Sequence, residues 1–326
     1  MLGQFRVGPL PIFDVLTGIN NNQYSDTLSY TRGRHTLKFG VEFKREQENF
    51  NVDFFQRGVV LFLSFDDFLK GNPFLSVAGS GILNRNFRNF DAAGYVQDDF
   101  KVSPKLTLNL GLRYKIDGPP SDTEGRLATF DPQRYQVGNP PNGFVLAGNV
   151  APQFRIPGVP LVSNTLLKTS DYNNLAPRVG FAYKPFGGHA LVVRGGYGIF
   201  YSRISNEAAV FSFTNPPFAE LGTSFFPGSF SDPLPHLPLP SQFPIAPVIP
   251  GINASGTALT GAPISAFAID PNLETPYIEQ YNLTIQHEFS KDFVLEVGYV
   301  GSHGVKLLRR VGIAQSLLAP MPSATS

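Results

Sequence analysis

Cysteine and tryptophan are both absent from the 326 residues, and there are only 2 methionines. Without cysteine there are no disulfides, thiolate metal sites or cysteine nucleophiles, and the redox compartment leaves no trace in the sequence. No run of eighteen apolar residues occurs, which excludes a transmembrane helix but not a membrane-spanning barrel of strands. Nor is there an excess of either charge: 26 basic against 25 acidic residues set up no field to draw nucleic acid, and the one dense charged run is Lys44 to Glu48. Met1 to Thr17 shows no basic segment followed by an apolar core, so no secretory leader is read there.

What is abundant is phenylalanine (30), glycine (32) and proline (29), while charged residues make up only 16%. That composition suits strands with long irregular connections. The clearest strand pattern is Ala93 to Asp117. After a turn at Ser103 and Pro104, Leu106, Leu108, Leu110, Leu112, Tyr114 and Ile116 alternate with Lys105, Thr107, Asn109, Gly111, Arg113 and Lys115. One face is apolar and the other polar. About twelve residues at roughly 3.3 Å each is enough to cross a bilayer core when tilted.

Three more stretches repeat this rhythm. They place hairpins at about 24–46, 93–117, 177–203 and 276–303, turning near residues 33, 104, 187 and 291. Gly195, Gly196 and Gly198, inside the third, weaken a free strand but permit bending and close approach. Met1 to Gln23 reads as irregular. The connections 47–91, 118–175 and 205–273 read as long loops; prolines spread through the second argue against strand ladders there, and the third holds a proline-rich stretch from Pro227 to Pro250. In the first, Ser64 is expected to cap a helical turn over Phe65 to Leu69 that ends at Gly71 and Pro73.

Tight turns alternating with very long loops are uncommon in soluble domains, a β-sandwich included. They are how outer-membrane barrels are built, with short periplasmic turns, long extracellular loops, an apolar outer face and a polar lumen face. The expected fold class is therefore all-β: an antiparallel transmembrane β-barrel segment of about eight strands in four hairpins. Eight strands with loops of this bulk suggest an incomplete barrel, a piece of something larger with unpaired edges.

The stretches HTLKFGVEF (His35 to Phe43), FDDFLKGNP (Phe65 to Pro73), GYVQDDFKVSPKLTLNLGLRY (Gly94 to Tyr114), APRVGFAY (Ala176 to Tyr183), VVRGGYGIFYSR (Val192 to Arg203), PYIEQYNLTIQHEF (Pro276 to Phe289) and VGYVGSHG (Val297 to Gly304), in this order and spacing, resemble the barrel of TonB-dependent outer-membrane receptors, particularly the Oar-like group. The resemblance implies a plugged barrel that takes up a scarce solute with energy passed through TonB. No plug domain or TonB-contacting segment is read within the chain. The expected partners are outer-membrane lipid, the missing plug and remaining strands of the same receptor, TonB only through the missing part, and a small solute of unknown identity. Nucleic acid is not among them.

No enzyme constellation is visible. His35, His189, His236, His287 and His303 lack metal-ligand spacing, and no cofactor fingerprint occurs. Asp98 and Asp99 are adjacent in a strand and must face opposite sides, so they cannot act as a carboxylate pair. Asp66 and Asp67 suit a helix start. Catalytic, cofactor and metal residues are accordingly expected to be none. The candidate site residues are lumen-facing: Lys38, Glu42, Arg113, Lys115, Arg178, Arg194 and Glu296. They either meet a plug or solute or simply hydrate a polar interior. Loop aromatics, among them Tyr135, Phe144, Phe154, Tyr172, Phe211, Phe213, Phe225 and Phe226, either offer a ligand surface or pack loop on loop, and Tyr30, Tyr114, Tyr183, Tyr201 and Tyr299 suit an interfacial girdle. The readings that compete with transport are a surface-exposed β-rich adhesion or binding protein and a small passive barrel.

Overall fold

The computed structural model describes residues 15–52, 55–134, 143–167, 171–186, 191–204, 215, 217–233 and 267–312. Its backbone is one long antiparallel sheet built from four hairpins: β1 (Val15–Arg32) with β2 (His35–Val52), β5 (Arg85–Ser103) with β6 (Leu106–Asp117), β11 (Leu175–Tyr183) with β12 (Leu191–Tyr201), and β14 (Tyr277–Ser290) with β15 (Phe293–Val305). Sheet order is β1-β2-β5-β6-β11-β12-β14-β15, with β7 (Ser121–Asp122) added beside β5, and among the described residues β1 and β15 are unpaired edges. The sheet therefore stays open.

Period-two alternation explains the two faces. In register across the sheet, Phe39 stands by Val96, Val96 by Leu112, Phe181 by Leu108, Val179 by Tyr197, and Leu283 by Tyr299. Many of these apolar side chains are exposed, among them Phe39, Val96, Leu112, Val179, Leu283 and Val297. An apolar surface continuous over eight strands far exceeds what a soluble monomer leaves open to water. The opposite face carries Lys38, Glu42, Gln97, Asn109, Arg113, Arg178 and Gln280. Asp98 and Asp99 do point to opposite faces: Asp98 meets His35 on the apolar side, and Asp99 meets Lys38 and Asn109 on the polar side.

Several expected boundaries are corrected. The first hairpin begins at Val15, inside the stretch read as irregular, and runs to Val52 rather than 46; the second begins at Arg85 rather than 93. Eighteen-residue strands outrun the roughly 9–11 residues needed to cross the bilayer. Their outer ends are released from the apolar-out, polar-in rule and lose the pattern that marks a membrane strand. Tyr299 sits in the middle of β15, not near an end.

The connections are not structureless. β3 (Val59–Leu61), β4 (Leu75–Gly81) and β13 (Ala219–Phe225) make one three-stranded sheet; β8 (Ala128–Phe130), β9 (Phe144–Ala147) and β10 (Leu161–Val162) make another, despite the prolines between them. Helix α1 (Phe65–Lys70) is capped by the Ser64 side chain, which accepts from the Asp67 amide at 3.0 Å, and ends at Gly71 in the left-handed region (φ 67°).

The hydrophobic core lies among these loops. Phe87, Leu127, Ala147, Leu166, Leu167 and Ile269 form one cluster, and Ala128, Phe144, Leu146, Val150, Val159 and Phe218 another. Each joins segments from different connections. Buried polar groups complete the join: Asn215 donates from Nδ2 to the carbonyls of Ala128 (2.7 Å) and Phe267 (2.8 Å), and its Oδ1 accepts from the Phe267 amide at 2.8 Å. The Ile269 amide donates to Thr129 Oγ1 at 2.8 Å. Pro227 to Pro250 lies mostly outside the described residues, as do Tyr135, Phe211, Phe213, His189 and His236.

Candidate functional site

The polar face is organised by cross-strand register. Glu42 of β2, Ala93 of β5 and Lys115 of β6 share one row; Gly40, Tyr95 and Arg113 share the next. Arg113 Nη2 bonds Glu42 Oε2 at 2.6 Å and its guanidinium lies 5.9 Å from the Tyr95 ring centre. Gln23 Nε2 also donates to Glu42, at 3.2 Å. Lys38 pairs with Asp99 at 3.2 Å and Lys115 with Asp117 at 2.8 Å. Four of the seven candidates thus belong to ion pairs: Lys38–Asp99 joins the adjacent β2 and β5, Glu42–Arg113 reaches across β5 from β2 to β6, and Lys115–Asp117 lies within β6.

The remaining three differ. Arg194 Nη1 donates to Gln286 Oε1 at 2.8 Å, Glu296 of β15 is exposed, and Arg178 lies over Phe200 with its guanidinium 4.5 Å from the ring centre. All seven occupy the polar face, but the structure does not gather them into one constellation.

The alternation of β2 continues beyond Glu42 to Lys44 and Glu46, and the face includes a charged group the sequence reading passed over. Arg203, just beyond β12, pairs with Glu46 and, at 3.3 Å, with Asp91 of β5. Lys44 Nζ reaches Glu46 at 3.3 Å and Asn89 Nδ2 donates to Glu46 Oε1 at 3.3 Å. In sheet order β2 is four strands from β12, so Arg203 ties the end of β12 to β2 and β5 across the polar face. A cavity of about 300 Å³ opens beside these pairs, lined by Glu42, Lys44, Asp91, Arg113, Lys115 and Arg203 among others. Only the continued period of two from Glu42 could have flagged Glu46; nothing local marks Arg203.

In the outer layer, the buried Asp122 carboxylate accepts from the amides of Asn86 (2.7 Å) and Arg126 (2.9 Å) and from Arg126 Nε (3.2 Å). Burial alone would raise its pKa, but the Arg126 side chain and these amides outweigh it and hold the carboxyl below its ordinary range. Of the loop aromatics, Phe144 is buried and Phe154 packs edge-on against Phe218, whereas Tyr172, Phe225 and Phe226 are exposed. Among the described residues no group of three or more His, Asp or Glu side chains is placed to hold a metal ion.

Residues 11–326 match the family model described as an outer membrane beta barrel domain. Among solved structures, the chain is similar to the outer membrane transporter YddB from Escherichia coli (12% identity, 88% of this chain and 26% of that one, TM-score 0.37). It is also similar to the alcaligin outer membrane receptor FauA from Bordetella pertussis (8% identity, 89% and 39%, TM-score 0.32) and to the monoaromatic hydrocarbon channel CymD (9% identity, 89% and 73%, TM-score 0.25). The chain spans about a quarter of the length of the first of these. No curated protein matches its sequence.

Proposed function

The chain belongs to the outer membrane beta barrel family and resides in the outer membrane; from that premise we propose that it forms part of the wall and outer loop layer of a TonB-dependent transporter of the Oar-like group, taking up a scarce solute without catalysing a reaction. One observation carries the reading. Arg203, just past the end of β12, bridges the polar face to Glu46 and Asp91, while the long connections interlock through shared hydrophobic clusters. A lumen roofed in this way suits gated, energised uptake better than free diffusion. The two unpaired edges, β1 and β15, would be completed by further strands, since an open edge in lipid leaves backbone groups without partners. The partners under this reading are lipid, those strands, a plug, TonB through that plug, and the solute.

The test is genetic epistasis. A strain lacking the gene is competed with its parent under limitation for iron, cobalamin or glycans, with and without TonB. A growth defect on one nutrient that vanishes in the TonB-null background is expected. A defect that persists there overturns energised uptake and favours a passive barrel.

A further inference from the structure

The polar face of β6, β11, β12 and β14 contains a patch whose residues neither packing nor backbone geometry explains. In register, Asn109, Gly180, Gly196 and Asn282 form one row, and Gly111, Arg178, Gly198 and Gln280 the next. Glycine inside a strand usually marks a required conformation, a slot filled by a neighbour, or close approach of something else.

The first two causes are absent at three of these positions. Gly111, Gly180 and Gly196 have no positive φ, and a Cβ built on each would meet nothing closer than 3.7, 3.6 and 3.6 Å respectively, ordinary van der Waals contact. Other glycines of the same sheet behave differently: at Gly40, Gly195 and Gly301 an aromatic ring fills the place of the missing side chain. The three bare positions therefore leave a hollow floored by backbone. Arg178 stands in it, exposed, stacked on Phe200, with no carboxylate partner among the described residues. Asn282 and Gln280 are exposed at its β14 edge and Asn109 at its β6 edge.

We infer that this glycine-floored hollow is a binding subsite for a carboxylate-bearing solute, with Arg178 engaging the carboxylate and the flanking amides of Asn109, Asn282 and Gln280 engaging its polar substituents. A planar guanidinium fork is the natural partner of a carboxylate. Stacking on Phe200 holds that fork in place, so less freedom is lost when it binds. The bare backbone lets a flat ligand lie closer than any side-chain-lined wall would allow. This inference rests on the polar face being a lumen.

These 326 residues have no cysteine, so once any cysteine elsewhere in the gene product is replaced by serine, single cysteines report on the hollow directly. Gly180→Cys and Gly196→Cys, each in the full gene product in outer-membrane vesicles, are reacted with an anionic and a cationic methanethiosulfonate. Folding is checked by heat-modifiable gel migration. The anionic reagent should react roughly 25-fold faster than the cationic one, since one unpaired positive charge about 4 Å away in water speeds the anion about fivefold and slows the cation about fivefold. Arg178→Gln should erase that preference, and galacturonate, but not neutral galactose, should slow the labelling. Equal rates for the two reagents, or protection by both sugars alike, overturn the proposal. So does a folded variant that resists both reagents, which would mean polypeptide covers the hollow. Labelling needs no TonB, so failure of energised uptake and failure of the subsite are separable.

Discussion

Tyr95 lies over Gly40: a side chain at Gly40 would overlap the Tyr95 ring, and the Tyr95 hydroxyl reaches past it to within 2.9 Å of Thr27 Oγ1. One aromatic ring thus clasps β5, β2 and β1 across the polar face, covering the backbone that glycine exposes.

Gly40→Ala should displace that ring and cost about 1–3 kcal/mol, the usual penalty of overpacking a filled site. The midpoint of urea unfolding, followed by loss of the fast-migrating folded band, measures it. Tyr95→Phe, which keeps the ring and loses only the contact to Thr27, should cost about 1 kcal/mol or less.

His35 Nδ1 lies 2.7 Å from Asp98 Oδ2 on the apolar face, with the imidazole stacked on Phe100 at 4.2 Å. A carboxylate on a lipid-facing surface is costly without a partner. His35→Ala should destabilise the folded protein by about 1–2 kcal/mol, a modest value because the pair is partly exposed. His35→Ala combined with Asp98→Asn should recover most of the loss. A double variant no better than the single one would show that stacking, not charge, is what His35 supplies.

The Asp122 carboxyl titrates below its ordinary range in the folded loops. A carboxyl whose folded pKa is depressed contributes stability that is fully present above its unfolded value of about 3.9 and is lost as pH falls through the lower folded value. Protease resistance of the outer loops should therefore hold from neutrality down to about pH 4 and weaken below it. Asp122→Asn should weaken resistance at neutral pH and flatten that acid dependence.

Asn215 supplies hydrogen bonds to two separate segments. Asn215→Ala would leave two buried carbonyls and one amide without that partner, at about 2–3 kcal/mol. Proteinase K cleavage of the loops on intact cells should rise while the hairpins stay protected.

The hairpins were legible because the lipid-spanning stretch demands period-two alternation, unbroken from Leu106 to Ile116. It fails where the demand ends. On β5, Phe87 points to the polar side and enters a loop cluster, while Arg88 and Phe90 share the other face; the polarity rule that reveals a membrane strand is inverted there. The loop sheets escaped notice because their strands, two to four residues long among the prolines of the second connection and seven in β4 and β13, gain their stability from distant partners such as Leu146 against Ala128 and Leu221 against Gly79. The site candidates were legible as a face, since alternation assigns Lys38, Glu42 and Arg113 to one side. Which of them pair was not, because Glu42 meets Arg113 only once β5 is known to lie between their strands.

The interlocked outer layer constrains how such a protein can change over time. With Ala128, Phe218 and Ile269 or their close neighbours buried together from separate connections, a mutation in one loop alters the fit of the others. Surface variation driven by phages or antibodies would then arise in coordinated sets, and recombination should exchange the outer layer whole.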